Sequence, residues 1–159
     1  MGKFNANLIK LQALSIFVSI VFSTACSNDR NEKARNVYPE HERQENKFYN
    51  GKGVGPVQIL NLENDIDKTL ANTGELLFTS KCTSCHKLSS EKGIGPGLKG
   101  ITNRRRPEWI MNMILNPMEM TQKDSLAKEL LAIYYSQMLD NNLTHQEARS
   151  ILEFLRTSK

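Results

Sequence analysis

Cys82-Thr83-Ser84-Cys85-His86 is the stretch on which the reading of this 159-residue chain turns. Upstream of it, Gly74, Leu77, Phe78 and Cys82 recur at helical spacing. The pentapeptide therefore closes a helix that begins near Asp67, with Thr73 as its expected N-cap. Downstream, Gly93, Gly95, Pro96, Gly97 and Gly100 mark a loop. Pro107 suits the first turn of the next helix, with Ile110, Met113 and Ile114 facing inward, and Asn116-Pro117 stops it. Asp124 is placed to cap a further helix carrying Leu126, Leu130, Ile133 and Tyr134. Thr144-His145-Gln146-Glu147 has the form of a capping box at the head of a last helix, whose stripe is Ala148, Ile151, Leu152 and Leu155. No strand-like run follows residue 67. The expected fold class is all-α, with about four short helices.

Three chemistries use a C-x-x-C pair. A thioredoxin-like dithiol needs a βαβ setting, which this pattern lacks. A zinc half-site needs a second Cys or His pair at zinc spacing, and none follows. The third adds an adjacent histidine. Two thiols at a helix end reach the two vinyl groups on one edge of a haem, form thioethers with it, and set the imidazole under the iron. The expectation is one covalent haem c, held by Cys82 and Cys85, with His86 ligating the iron. Four short helices enclose little apolar interior, and the haem would supply the rest. A group bound only by the native state also stabilises that state.

The chain carries 21 Lys and Arg against 17 Asp and Glu, and its one dense basic run is Arg104-Arg105-Arg106. Without a basic stripe interleaved with aromatics, nucleic-acid binding is not indicated. Residues 1–25 read as a signal peptide: Lys3 and Lys10, the apolar run Leu11 to Phe22, then Ser23-Thr24-Ala25 before Cys26. That run is shorter than the roughly 20 apolar residues of a spanning helix. The segment resembles a lipoprotein signal, with Ser23 where that pattern prefers Leu. The resemblance implies that Cys26 becomes a lipid anchor, which gives the third cysteine a fate of its own and holds the chain on the periplasmic side of a bacterial membrane. Ser27 to about Asn50 are polar and charged and suit a tether. Gly51 to Pro56 are turn-rich, and Val57 to Leu62 suit a short extended strap. The expected division is signal peptide 1–25, lipid-anchored flexible linker and strap 26–66, and helical domain 67–159. His41 has no evident role, and His145 sits at a helix start, where it is solvated.

From Gly74 to Arg156 the chain resembles a class I cytochrome c domain. The matching features are Gly74-x-x-x-Phe78 before the C-x-x-C-H, then Gly95-Pro96-x-Leu98-x-Gly100, then a methionine shortly before a closing amphipathic helix. The resemblance implies a class I cytochrome c fold around the haem, its first and last helices crossing where Gly74 or Phe78 meets Phe154 and Leu155. It implies that the Pro96 carbonyl accepts a hydrogen bond from His86. It also implies that Met138 is the sixth ligand, with Leu139 where the family often has proline. A soft thioether there raises the potential relative to a second histidine. Met118 and Met120, read as loop residues around Pro117, are the rivals. Met113 reads as core filling, and Met111 is out of phase with the buried face. Arg104, Arg105, Arg106 or Trp109 is a candidate to bind a haem propionate.

The function so implied is electron transfer by a His/Met-ligated monohaem carrier, not an enzyme. The alternatives are a haem-based gas sensor and a structural haem subunit of a larger respiratory complex. Gly53-Val54-Gly55-Pro56-Val57, Cys85-His86-Lys87-Leu88 and the run Trp109 to Pro117 are similar to small lipoprotein cytochromes found with nitrous oxide reductases. That similarity implies a redox protein partner in the periplasm, with a nitrous oxide reductase as the candidate.

Overall fold

The computed structural model describes residues 47–159. The expected signal segment 1–25, Cys26, His41 and most of the expected tether lie outside the described residues. Six helices are present among the described residues: α1 Lys68–Lys81, α2 Ile101–Arg104, α3 Pro107–Leu115, α4 Pro117–Lys123, α5 Ser125–Tyr134 and α6 His145–Thr157. The only strand-type pairing among them is an isolated bridge between Tyr49 and Arg105. The count exceeds the expected four partly because Pro117, read as a helix stop, opens α4. A proline lacks the N–H that a first turn leaves unpaired anyway, so it starts a helix as readily as it ends one.

Caps set the boundaries. α1 begins after Asp67 and not at Thr73. The Asp67 carboxylate accepts from the backbone N–H groups of Thr69 at 2.9 Å and Leu70 at 3.0 Å, which satisfies donors that a helix start would otherwise leave unpaired. Thr73 lies inside the helix, its hydroxyl donating to the Thr69 carbonyl at 3.2 Å. Asp124 caps α5 by accepting from Ala127 N–H at 2.9 Å. The capping box of α6 forms in full between Thr144 and Glu147.

α1 and α6 cross at Gly74. A Cβ there would run into the Ser150 carbonyl and lie 2.9 Å from the Ile151 nitrogen. One turn on, buried Phe78 packs on Phe154, ring centroids 5.5 Å apart and tilted by 51°. Ile101, Trp109, Ile110, Ile114, Leu126, Ala148, Ile151, Leu152 and Leu155 continue this core. α3 is buried on more than one side, so Met111 is wholly enclosed despite its phase.

The segment before α1 is fastened to the helices. Tyr49 stacks edge-on against Trp109 at 6.5 Å and donates its hydroxyl to Asp124 at 3.0 Å. Asn112 of α3, fully buried, acts as a substitute strand. It donates to the Lys52 and Val57 carbonyls at 2.9 and 2.8 Å and accepts from Val57 N–H at 2.9 Å. Val57 is buried while Ile59, which a regular extended strap would place on the same face, is exposed, so the segment departs from a regular strap after Val57. Glu108 receives Arg106 at 3.2 Å and Lys52 at 3.6 Å. Burial pushes its pKa up, but the Arg106 hydrogen bonds and both cations outweigh that and hold the carboxyl below its ordinary value.

The crossing carries a direct prediction. Gly74→Ala should cost about 1–3 kcal/mol through overpacking against backbone that cannot rotate away. It should appear as a lower denaturation midpoint of the haem-loaded protein at unchanged m-value. An unchanged midpoint would mean that the two helices do not meet there.

Candidate functional site

The C-terminus of α1 delivers the motif. Cys82 is the C-cap, its N–H donating to the Phe78 carbonyl at 2.8 Å. The Cys82 carbonyl then accepts from Cys85 N–H at 3.1 Å and His86 N–H at 2.8 Å. This tight turn brings both sulfurs and the imidazole to one cavity. Both cysteines are free thiols and half-buried. Burial pushes the Cys82 thiol's pKa up; Lys81 opposes this and Cys85 adds to it.

The glycine loop is stitched to the motif by backbone bonds. Gly95 N–H donates to the Cys85 carbonyl at 2.9 Å, and Leu98 N–H to the Lys87 carbonyl at 2.8 Å. The Pro96 carbonyl lies 2.9 Å from His86 Nδ1. A carbonyl oxygen only accepts, so Nδ1 carries the hydrogen and Nε2 keeps its lone pair. Gly95 is required beside this bond, because a Cβ there would stand 2.6 Å from the His86 ring.

The cavity measures about 430 Å³ and is lined by Cys82, Cys85, His86, Pro96 and Met138, with apolar core side chains completing the wall. That volume falls within the roughly 300–1,000 Å³ typical of cofactor and ligand sites. Two thiols, one fixed imidazole and a thioether on a shared apolar wall fit a haem attached through two thioethers. Among the described residues, no three of His, Cys, Asp or Glu gather as a cage for a bare metal ion.

The methionines sort themselves by position. Met118 and Met120 lie in α4 and not in a loop. Met118 is exposed, and Met120 is fully buried with its sulfur accepting from Val54 N–H at 3.0 Å. Neither lines the cavity. Met113, read from the sequence as core filling, shares the cavity wall with Met138.

The expected propionate donors separate as well. The single N–H of Trp109 donates to Asp124 at 3.1 Å, which removes it. Arg106 is paired with Glu108 and does not line the cavity. Arg104 and Arg105 do line it. Arg104 donates to the Gly97 carbonyl at 3.4 Å, and buried Arg105 donates to the Lys47 carbonyl at 2.8 Å and lies 5.8 Å from the Trp109 ring centre. Among the cavity residues without a sequence signal are Thr121 and Gln137, joined at 2.9 Å across the length of α5.

A family model for cytochrome c matches residues 71–159. A curated relative described as cytochrome c-553-like, from Synechocystis, is 30% identical over 59 residues, which cover 37% of this chain and 51% of that protein. The chain thus spans about half the length of this relative. Among solved structures, a cytochrome c from Rhodothermus marinus is 45% identical, with a TM-score of 0.64 over 65% of this chain and 89% of that one. An engineered form of it bound to a carbene intermediate is 44% identical, with a TM-score of 0.61 over 65% of this chain and 89% of that one.

Proposed function

This chain belongs to the cytochrome c family, and we propose that it is a single-haem electron carrier ligated by His86 and Met138. Cytochromes c are electron carriers and not enzymes. The observation that carries the reading is the His86–Pro96 contact of 2.9 Å beside two free thiols. It leaves one imidazole nitrogen for a metal, on a cavity that also holds the Met138 thioether.

When bound, the haem supplies a one-electron iron couple. The chain's own residues do the rest. Cys82 and Cys85 would hold one porphyrin edge, and His86 would enter as a neutral imidazole whose orientation Pro96 fixes. Met138 would supply a soft sulfur as the second protein ligand to the iron, leaving no place for a substrate. Apolar core side chains exclude water. Arg104 and Arg105, which line the cavity, would offset buried propionate charge.

The partner we propose is an extracytoplasmic redox protein, and a nitrous oxide reductase is the candidate. Support comes from the sequence similarity at residues 53–57, 85–88 and 109–117. Lipidation at Cys26, with the polar residues after it as a tether, would hold the carrier on the periplasmic side of the membrane.

In the haem-loaded protein, Met138→Ala should abolish the sulfur-to-iron charge-transfer absorption and lower the midpoint potential, whereas Met113→Leu should keep the band. Retention of the band in Met138→Ala would overturn the ligation. Rapid carbon monoxide binding to the reduced native protein would favour a gas sensor instead. For the partner, reduced protein mixed with nitrous oxide reductase should be oxidised when nitrous oxide is added. Absence of enzyme-dependent oxidation would remove that acceptor.

A further inference from the structure

We infer that Gln137, tied to Thr121 and to the Pro117 carbonyl, is the positioning residue that keeps Met138 seated in the cavity. The inference rests on the ligation by Met138 proposed above. Residues 136–143 have no regular secondary structure. They follow Tyr135, the C-cap of α5, which holds a left-handed φ of 51° although it is a bulky aromatic. Among the described residues, no backbone–backbone hydrogen bond joins residues 136–143 to the rest of the domain. Helix geometry and backbone pairing therefore do not hold this segment in place.

Met138 and Leu143 pack against the core, and the Gln137 side chain supplies the polar ties. Its Oε1 accepts from the Thr121 hydroxyl at 2.9 Å. Its Nε2 donates to the Met138 carbonyl at 3.1 Å and reaches the Pro117 carbonyl at 3.4 Å. The surroundings fix the amide's orientation: two carbonyl oxygens require the NH₂ end, and the hydroxyl then meets the oxygen end. Thr121 has one proton and three acceptors in reach, the Pro117 and Met118 carbonyls at 3.0 and 3.1 Å and Gln137 at 2.9 Å. Gln137 is the only one of these outside α4. Thr121 is buried, and both side chains line the same cavity as Met138. The tie is part-buried, and a bond partly withdrawn from water is stronger than an exposed one. The amide thus links α4, a rigid element, to the residue beside it that would carry the sulfur.

The test uses the full-length, haem-loaded, oxidised protein titrated with imidazole. Imidazole enters only when Met138 leaves, so its apparent affinity reports the open fraction. Losing one net hydrogen bond shifts such an equilibrium by about two- to tenfold. Gln137→Ala should tighten apparent imidazole binding by about tenfold, and Thr121→Val, which leaves the amide's contact with the Pro117 carbonyl, should tighten it by less. The double variant should go no further than Gln137→Ala alone, because Thr121 acts on the segment only through the amide. Thr121→Ser, which keeps the hydroxyl, should restore native affinity. A change below about twofold in Gln137→Ala, or effects of the two variants that add, would overturn the positioning role. Met138→Ala separates the two levels. If it opens the site while Gln137→Ala does not, the positioning role alone fails. If it binds imidazole no more tightly than the native protein, the ligation itself fails.

Discussion

One hydrogen bond, from His86 Nδ1 to the Pro96 carbonyl at 2.9 Å, decides which imidazole nitrogen faces the cavity. It fixes the tautomer, holds the ring's orientation and raises its basicity toward a metal. The bond forms because two other constraints meet. The motif turns tightly at the end of α1, and the glycine loop folds back on it through the Gly95 to Cys85 bond. Gly95 lets the loop approach, since any side chain there would strike the ring. A cofactor site built this way is local in sequence, yet its position depends on where α1 lies.

The direction of α1 is set at its other end. Its N-cap, Asp67, donates its backbone N–H to Glu153 of α6 at 3.3 Å. Glu153 is fully buried and receives Arg149 at 2.6 Å and Arg156 at 2.7 Å. Arg156 also donates to the Glu63 and Asn64 carbonyls at 2.8 and 3.0 Å, so the strap is clamped to the last helix. Removing one member of a buried pair of this kind typically costs about 3–5 kcal/mol, since the partner charge is left uncompensated. The clamp and the Gly74 crossing together fix the first half of α1 against α6, and residues of α1, α3, α5 and α6 line the cavity.

What was legible in the sequence was what short spacing encodes. The C-x-x-C-H string, the Asp124 cap and the Thr144–Glu147 box each need only a few neighbouring residues, and each forms as read. The start of α1 near Asp67 was legible, but its cap was assigned to Thr73 because the apolar periodicity shows only after that residue, whereas Asp67 itself is the cap. Pro117 was misread because its missing N–H is compatible with either end of a helix. That error put Met118 and Met120 in a loop and made them rivals to Met138. Asn112, Glu153 and the Gln137–Thr121 tie were invisible, since each pairs groups that only the tertiary fold brings together. Trp109 was offered to a propionate because no local signal shows that Asp124 already takes its N–H.

Trypsin cleavage after Lys81 and Lys87 releases Cys82–Lys87, the peptide that holds both thiols and His86. Mass spectrometry of that peptide, from protein matured in a host competent for haem attachment, should find one haem joined to both sulfurs. The same peptide with two unmodified cysteines would contradict a covalent haem at this site.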